Sequence, residues 1–184
     1  MPPTPSRHTP SRRTDGERGQ SLVEFSLILG PLLLLLLGII QFGFVFNTYV
    51  TVSTAAREGA RTGSIYQYDR TITQSANDLA RNNEIRSQTI AALNGLVKTA
   101  PNFTTSSTWT TTVSGTTTTF TNGDLVITYA LPTTVTANDP RVGYRVTVKL
   151  TYHQDLYVPI IGSFLPQDAG GRLPLGGEVT MSIN

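Results

Sequence analysis

Hydrophobic positions in this chain are massed near its start and alternate with polar ones toward its end. From Leu22 to Phe46 nearly every residue is apolar, including six consecutive leucines, Leu32 to Leu37, and the run has no polar face. As a helix these 25 residues extend about 37 Å, enough to cross a bilayer core of about 30 Å with some tilt. A core helix of a soluble domain keeps a polar stripe, which this run lacks. A cleaved secretory signal is the main alternative, but its apolar region is about 7–15 residues long. Only Ser53-Thr54-Ala55 offers a cleavage-like site beyond the run. The helical pattern continues without proline through residues 47–63, where Val52, Ala56, Gly59, Ala60 and Gly63 put small apolar groups on one face. The pattern predicts one helix from Leu22 to Gly63, half in lipid and half outside, with Gly63 as its C-terminal stop.

A second helical zone is predicted from Thr71 to about Lys98. Thr71-Ile72-Thr73-Gln74 fits a capping box, Ile72, Ala76, Leu79 and Ala80 share one face, and Ile90, Leu93 and Val97 share another. Asn82-Asn83 is a candidate break, so the zone reads as one helix or two. The remainder reads as β. Residues 104–121 contain eleven Thr and three Ser, and the segments 109–113 and 116–120 flank Ser114-Gly115 as a hairpin would. A solvated, glycosylated stalk is the alternative for this tract, and Asn102-Phe103-Thr104 is an N-glycosylation sequon. Leu125, Ile127 and Tyr129 alternate with polar neighbours. The clearest strand runs from Tyr144 to His153, with Tyr144, Val146, Val148, Leu150 and Tyr152 on one face. Val179, Met181 and Ile183 mark a last strand. One apolar and one polar face imply an antiparallel sheet covered on one side, and the outer half of the long helix, helped by the second helical zone, is the natural cover. The fold class is therefore α+β: a long N-terminal membrane-spanning helix, a further helix and an antiparallel sheet packed on the long helix. The domains are a basic leader at 1–19, a transmembrane helix at 20–46 and an extracytoplasmic α+β domain at 47–184.

Charge orients the segment. Arg7, Arg12, Arg13 and Arg18 precede the apolar run, against Asp15 and Glu17, so the leader carries +2 (4 − 2) and the rest, with ten basic and ten acidic residues, carries zero. The positive-inside rule places the N-terminus in the cytoplasm and everything after about Asn47 outside it. The neutral remainder has no basic patch of the kind that binds nucleic acid. The Pro-, Ser-, Thr- and Arg-rich leader is predicted to be disordered. The chain has no cysteine, which excludes disulfides and thiolate metal sites.

The candidate chemistry lies where leader meets helix. Gly19 and Gln20 are followed by Glu24-Phe25, with basic residues before and an apolar helix after. A carboxylate inside a membrane-length segment is costly and is usually functional. This Gly-x-x-x-x-Glu-Phe pattern resembles a prepilin processing site. Together with Leu29-Gly30-Pro31-Leu32, Gly43 and Ala55-Ala56-Arg57-Glu58-Gly59-Ala60-Arg61, it is similar to the TadE-like family, the small pilin-like proteins of Tad (Flp-type) pilus systems. The C-terminal strand pair, with Tyr157-Val158-Pro159 between apolar residues, also looks similar. The chain departs from the family pattern in carrying Gly30 before Pro31 and in its long, lysine-free leader. The specific part of the resemblance covers residues 19–63.

The resemblance implies a minor pilin or pseudopilin of the cytoplasmic membrane, processed between Gly19 and Gln20 by a prepilin peptidase and assembling with other pilin or pseudopilin subunits and the pilus machinery. Glycine at the cut suits close approach by an enzyme, because no side chain intrudes. Cutting would create an amine on Gln20, and a neighbouring subunit's amine can neutralise Glu24 in low dielectric. The alternative is that Glu24 snorkels to the headgroups in an uncut, single-pass envelope scaffold or binding protein. Pro31 removes a backbone donor and bends a filament helix or is a tolerated kink in a plain anchor. Gly59 and Gly63, spaced Gly-x-x-x-Gly, allow close approach of another helix or packing under the domain's own sheet. No catalytic, cofactor-binding or metal-ligating set is read. His8 lies in the leader and His153 on a polar strand face, and no nucleophile–base motif or phosphate loop accompanies them, so the chain is expected not to be an enzyme and to take no small-molecule substrate. Asp139-Pro140 and Asp168-Ala169-Gly170-Gly171 read as turns.

Overall fold

The computed structural model describes residues 15–99, 103, 108–130, 141–158 and 162–183, with the backbone alone at 15–18 and 97–99. The chain divides into two compact units, Met1–Ile40 and Gln41–Asn184. The described part of the first unit is helical throughout. Its residues belong to α1, Asp15–Ile65, which contains Pro31 and remains helical across it. Side chains from Leu22 to Ile40 are almost all exposed, the leucines at 45–75 % apart from half-buried Leu29. Residues 19–65 form a helix long and apolar enough to cross a membrane. The helix starts earlier than the Leu22 expected, so Asp15 to Gly19 are helical where disorder was expected, and the expectation for residues 1–14 lies outside the described residues. It also ends later. Gly63 is no stop, because it is buried inside the helix with Ile85 and Val146 against it.

The second unit holds the rest of α1, a second helix and a sheet. α2, Gln74–Leu93, begins at Thr73, whose hydroxyl accepts the Ala76 N–H at 3.3 Å. The capping box on Thr71 is thus displaced by two residues. Thr71 instead donates its N–H and hydroxyl to Asp69, holding that carboxyl below its usual range. Asn82-Asn83 does not break α2. Both side chains bond across to the sheet, Asn82 to Tyr129 and Asn83 to the Trp109 indole, which stabilises the helix there. The helix ends at Asn94, whose φ of +50° is one that asparagine tolerates, and a 3-10 turn, Asn94–Thr99, follows. Of the two faces expected to be apolar and buried, the second is, with Leu93 buried and Ile90 packed on the core, but the first is not. Ile72 and Leu79 are exposed, while Asn77, Asp78, Arg81, Asn82, Ile85, Thr89 and Leu93 are buried.

Five antiparallel strands form one meander in the order β1 (Thr110–Ser114), β2 (Thr117–Asn122), β3 (Leu125–Ala130), β4 (Arg145–Gln154), β5 (Leu173–Ser182). The Thr-rich tract is therefore strand from Thr110 onward; residues 104–107, Asn102 of the sequon and Asp139-Pro140 lie outside the described residues. The first hairpin turns at Gly115-Thr116, one residue later than expected, because Ser114 pairs with Thr117. A second two-residue turn, Gly123-Asp124, joins β2 to β3. Both turns open on a glycine with positive φ, +58° and +56°, which suits tight hairpins. On β4, Val146, Val148, Leu150 and Tyr152 point inward, and Val146 and Val148 pair with Tyr129 and Ile127 on β3. The alternation matches the expected register, so the apolar face is covered as expected. Val52, Ala55, Ala56 and Ala60 of α1, with Ile85 and Leu93 of α2, share one core with it. Close approach of α1 to the sheet depends on Gly177 of β5, where a Cβ would stand 2.9 Å from the Val52 carbonyl oxygen.

Candidate functional site

The expected processing and assembly residues lie on the first turns of α1. Gly19 is exposed, and a Cβ placed on it would meet no atom within 4 Å. Gln20 and Glu24 are one turn apart on the same side of the helix, and Gln20 Nε2 donates to Glu24 Oε1 at 3.0 Å. Ser26 turns its hydroxyl back to the Leu22 carbonyl at 2.7 Å. Phe25 is 62 % exposed. The structure thus joins Gln20 to Glu24; Phe25 and Pro31 take no part in that contact. A carboxylate that accepts one amide hydrogen and is otherwise open can accept further donors, an ammonium among them.

The second unit contains polar features that the hydrophobic pattern did not mark. Asp78 on α2 and Arg141, just before β4, form a bidentate ion pair, with Nε to Oδ1 and Nη2 to Oδ2 both 2.7 Å, and both residues are buried. Burial opposes the Arg141 charge, yet the Asp78 hydrogen bonds and charge outweigh it and hold the guanidinium above its usual range. Arg141 adopts φ +64°, an uncommon conformation for a residue with a side chain, and the paired fork anchors it there. Its guanidinium also lies over the Tyr129 ring, 4.7 Å from the centroid. Tyr129 donates its hydroxyl to Asn82 Oδ1 at 2.6 Å, and burial pushes its ionisation well upward. The network ties α2 to the sheet by charge and hydrogen bonding where an apolar seam was expected. Nothing in the α2 sequence marked Asp78 for burial, because its partner is 63 residues away.

His153 is not the solitary surface histidine expected. Its Nδ1 lies 2.6 Å from Asp168 Oδ2 and its Nε2 3.4 Å from Asp124 Oδ1, and the ring is largely covered. Asp168 also accepts the backbone N–H groups of Arg172 and Gly170, as the Asp-Ala-Gly-Gly turn foretold. The Arg172 N–H is the strongest of the influences that hold the Asp168 carboxyl below its usual range; burial opposes it, and the Gly170 and His153 bonds add to it. This cluster pins the segment after β4 to the β2–β3 turn. The Gly59 and Gly63 positions are likewise settled as internal packing: a Cβ on either would press on Ile85 and on the β4 valines.

Among curated proteins and among solved structures, none matches the chain. The family model described as TadE-like protein does match, over residues 19–61, and this is the family that Gly19, Glu24-Phe25 and the Ala-Ala-Arg-Glu-Gly-Ala-Arg stretch resemble.

Proposed function

We propose that this chain is a minor pilin or pseudopilin that takes part in assembling a Tad-type pilus, anchored by α1 in the cytoplasmic membrane with its second unit outside. The observation that carries the reading is the Gln20–Glu24 contact inside the segment matched by the TadE-like family model. If a prepilin peptidase cuts after Gly19, Gln20 bears the new amine, one turn from a carboxylate with open acceptor sites. In a stack of such helices, an amine and a carboxylate from neighbouring subunits neutralise each other where an unpaired charge is expensive. The chain supplies no catalysis in this role; its partners are the bilayer, the peptidase and other subunits of the pilus machinery.

One observation favours a second reading, an uncut single-pass scaffold. The chain is already helical at Gly19. N-terminal sequencing and intact mass of the membrane-extracted protein, made with a matching peptidase, decide between them. The pilin reading expects a mature chain starting at Gln20, and a retained leader when Gly19 is replaced by a bulky residue. It further expects Glu24→Leu to be processed and abundant but unable to support piliation. Wild-type protein still starting at Met1 or Pro2 beside an active peptidase would leave the scaffold reading in its place.

A further inference from the structure

Gln41 is the one polar side chain between Ser26 and Asn47, and it is 2 % exposed. A glutamine in the apolar run is costly unless something shields it. Here the shield is the segment that follows β4. Gln41 Oε1 accepts the backbone N–H of Tyr157 at 2.9 Å. One turn on, Phe44 meets the Tyr157 ring edge-on, with centroids 5.8 Å apart. One turn further, Thr48 donates to Gln154 Oε1 at 2.7 Å. Three contacts at successive turns fasten residues 154–157 along one side of α1. The turn that carries Phe164 is tied to the same segment, since Gly162 N–H reaches the Val158 carbonyl and Leu165 N–H the Gly162 carbonyl. Tyr157 and Phe164 are nevertheless exposed, at 68 % and 84 %. Phe42, Phe44 and Phe46 of α1 are exposed as well.

The level of this fastening decides its surroundings. The apolar run is about 37 Å long and the hydrocarbon core about 30 Å thick, so about 7 Å, or five residues, is surplus. The outer five residues of the run, 42–46, hold three phenylalanines, and Tyr49 follows one turn later. Aromatic side chains concentrate where hydrocarbon meets water. A segment docked on Gln41 and Phe44 therefore cannot stand clear of the bilayer when α1 crosses it. Bonding the Tyr157 N–H to a buried glutamine also satisfies a backbone donor where water is scarce.

We propose that Tyr157 and Phe164, with Phe42, Phe44 and Phe46, form an aromatic collar inserted in the lipid headgroup layer, so that the outer domain is seated on the membrane surface. The occupant is lipid because Phe42, Phe44 and Phe46, which share this patch, are the outer end of the apolar run itself and are exposed. The proposal rests on α1 crossing a bilayer, one part of the function proposed above.

The chain has no cysteine, so a single Cys takes a nitroxide label without background. Full-length Phe164→Cys, labelled and reconstituted in phosphatidylcholine vesicles, is compared with Leu34→Cys in the apolar run and Val113→Cys on β1, where the side chain is 68 % exposed. Collision of the label with oxygen, which concentrates in lipid, is measured against collision with a water-soluble nickel chelate. The expected result is an oxygen-to-nickel ratio at position 164 several-fold above that at 113 and below that at 34. Because the Phe164 side chain is exposed, its replacement leaves the fold intact, and Tyr157→Cys provides an independent second position. An aqueous reading at both 164 and 157, with 34 deep in lipid, overturns the collar and leaves the membrane span standing. An aqueous reading at 34 overturns the span and the collar with it. Shielding of 164 from both reagents would place a protein on the patch and also overturns the proposal.

Discussion

Gly59→Ala asks whether the small-residue face of α1 is a seam inside the second unit. A Cβ on Gly59 would collide with Thr89 Oγ1 and lie 3.3 Å from Ile85 Cγ2 and 3.4 Å from Val148 Cγ1. Thr89 and Ile85 are fully buried, and the Thr89 hydroxyl already donates to the Ile85 carbonyl at 2.8 Å, so neither has open space to enter. Adding a methyl to such a core costs about 1–3 kcal/mol. A helix interior favours alanine over glycine by about 1 kcal/mol, which offsets part of that cost. The expected net effect is a destabilisation of about 1 kcal/mol. Thr89→Ala removes the colliding hydroxyl. The double variant should then be more stable than the sum of the single effects by about 1–2 kcal/mol, as expected for residues in contact. At Gly63 the tightest neighbour is the Ile85 side-chain tip, 2.7 Å from an added Cβ, and a methyl tip yields more easily than a buried hydroxyl. Because Ile85 is enclosed, Gly63→Ala should still destabilise, but by less than Gly59→Ala. The assay is denaturant unfolding of the detergent-solubilised chain, followed by the single Trp, Trp109. Its indole N–H bonds Asn83 Oδ1 at 2.9 Å and so reports separation of α2 from the β1 edge. A stability gain of about 1 kcal/mol in Gly59→Ala, with no coupling to Thr89, would refute the argument and return this face to contact with another helix.

Two further outcomes follow from the polar groups of the second unit. Asp78→Ala should cost about 3–5 kcal/mol in the same unfolding assay, because Arg141 would be left buried without its partner; a loss below about 1 kcal/mol would mean the pair is open to water. The Asp168 carboxyl is held below its ordinary 3.8, so its stabilising contribution is complete above that value and is lost as pH falls through the lower, folded one. Asp168→Asn should accordingly lower stability at neutral pH and flatten the decline under acid conditions, as read by unfolding midpoints from pH 7 down to about 2. An unchanged acid limb would assign that decline to other carboxylates.

Much of this architecture was legible because it follows from local periodicity. A 25-residue run with no polar face has few fates other than a membrane-length helix. The β4 alternation from Val146 to Tyr152 needs only the pleat of a strand to sort its side chains between core and solvent, and the observed register follows it. The proximity of Gln20 to Glu24 was legible for the same reason: the two lie one helical turn apart.

Only the tertiary structure decided the rest, because it depends on partners distant in the chain. Leu79 outward and Asp78 inward reverses the apolar rule, and it is stable only because Arg141 arrives from the segment before β4 to share the buried charge. Gly59 and Gly63 could have served a neighbouring helix or this domain's own core; the position of Ile85 makes them internal. Gln41 can be buried within the apolar run only because its Oε1 accepts the Tyr157 N–H, 116 residues on. Short-range sequence determines which elements form, since turns and pleats repeat over a few residues. Which polar groups can be buried is decided by long-range packing, since a buried donor or charge is tolerated only beside the group that satisfies it.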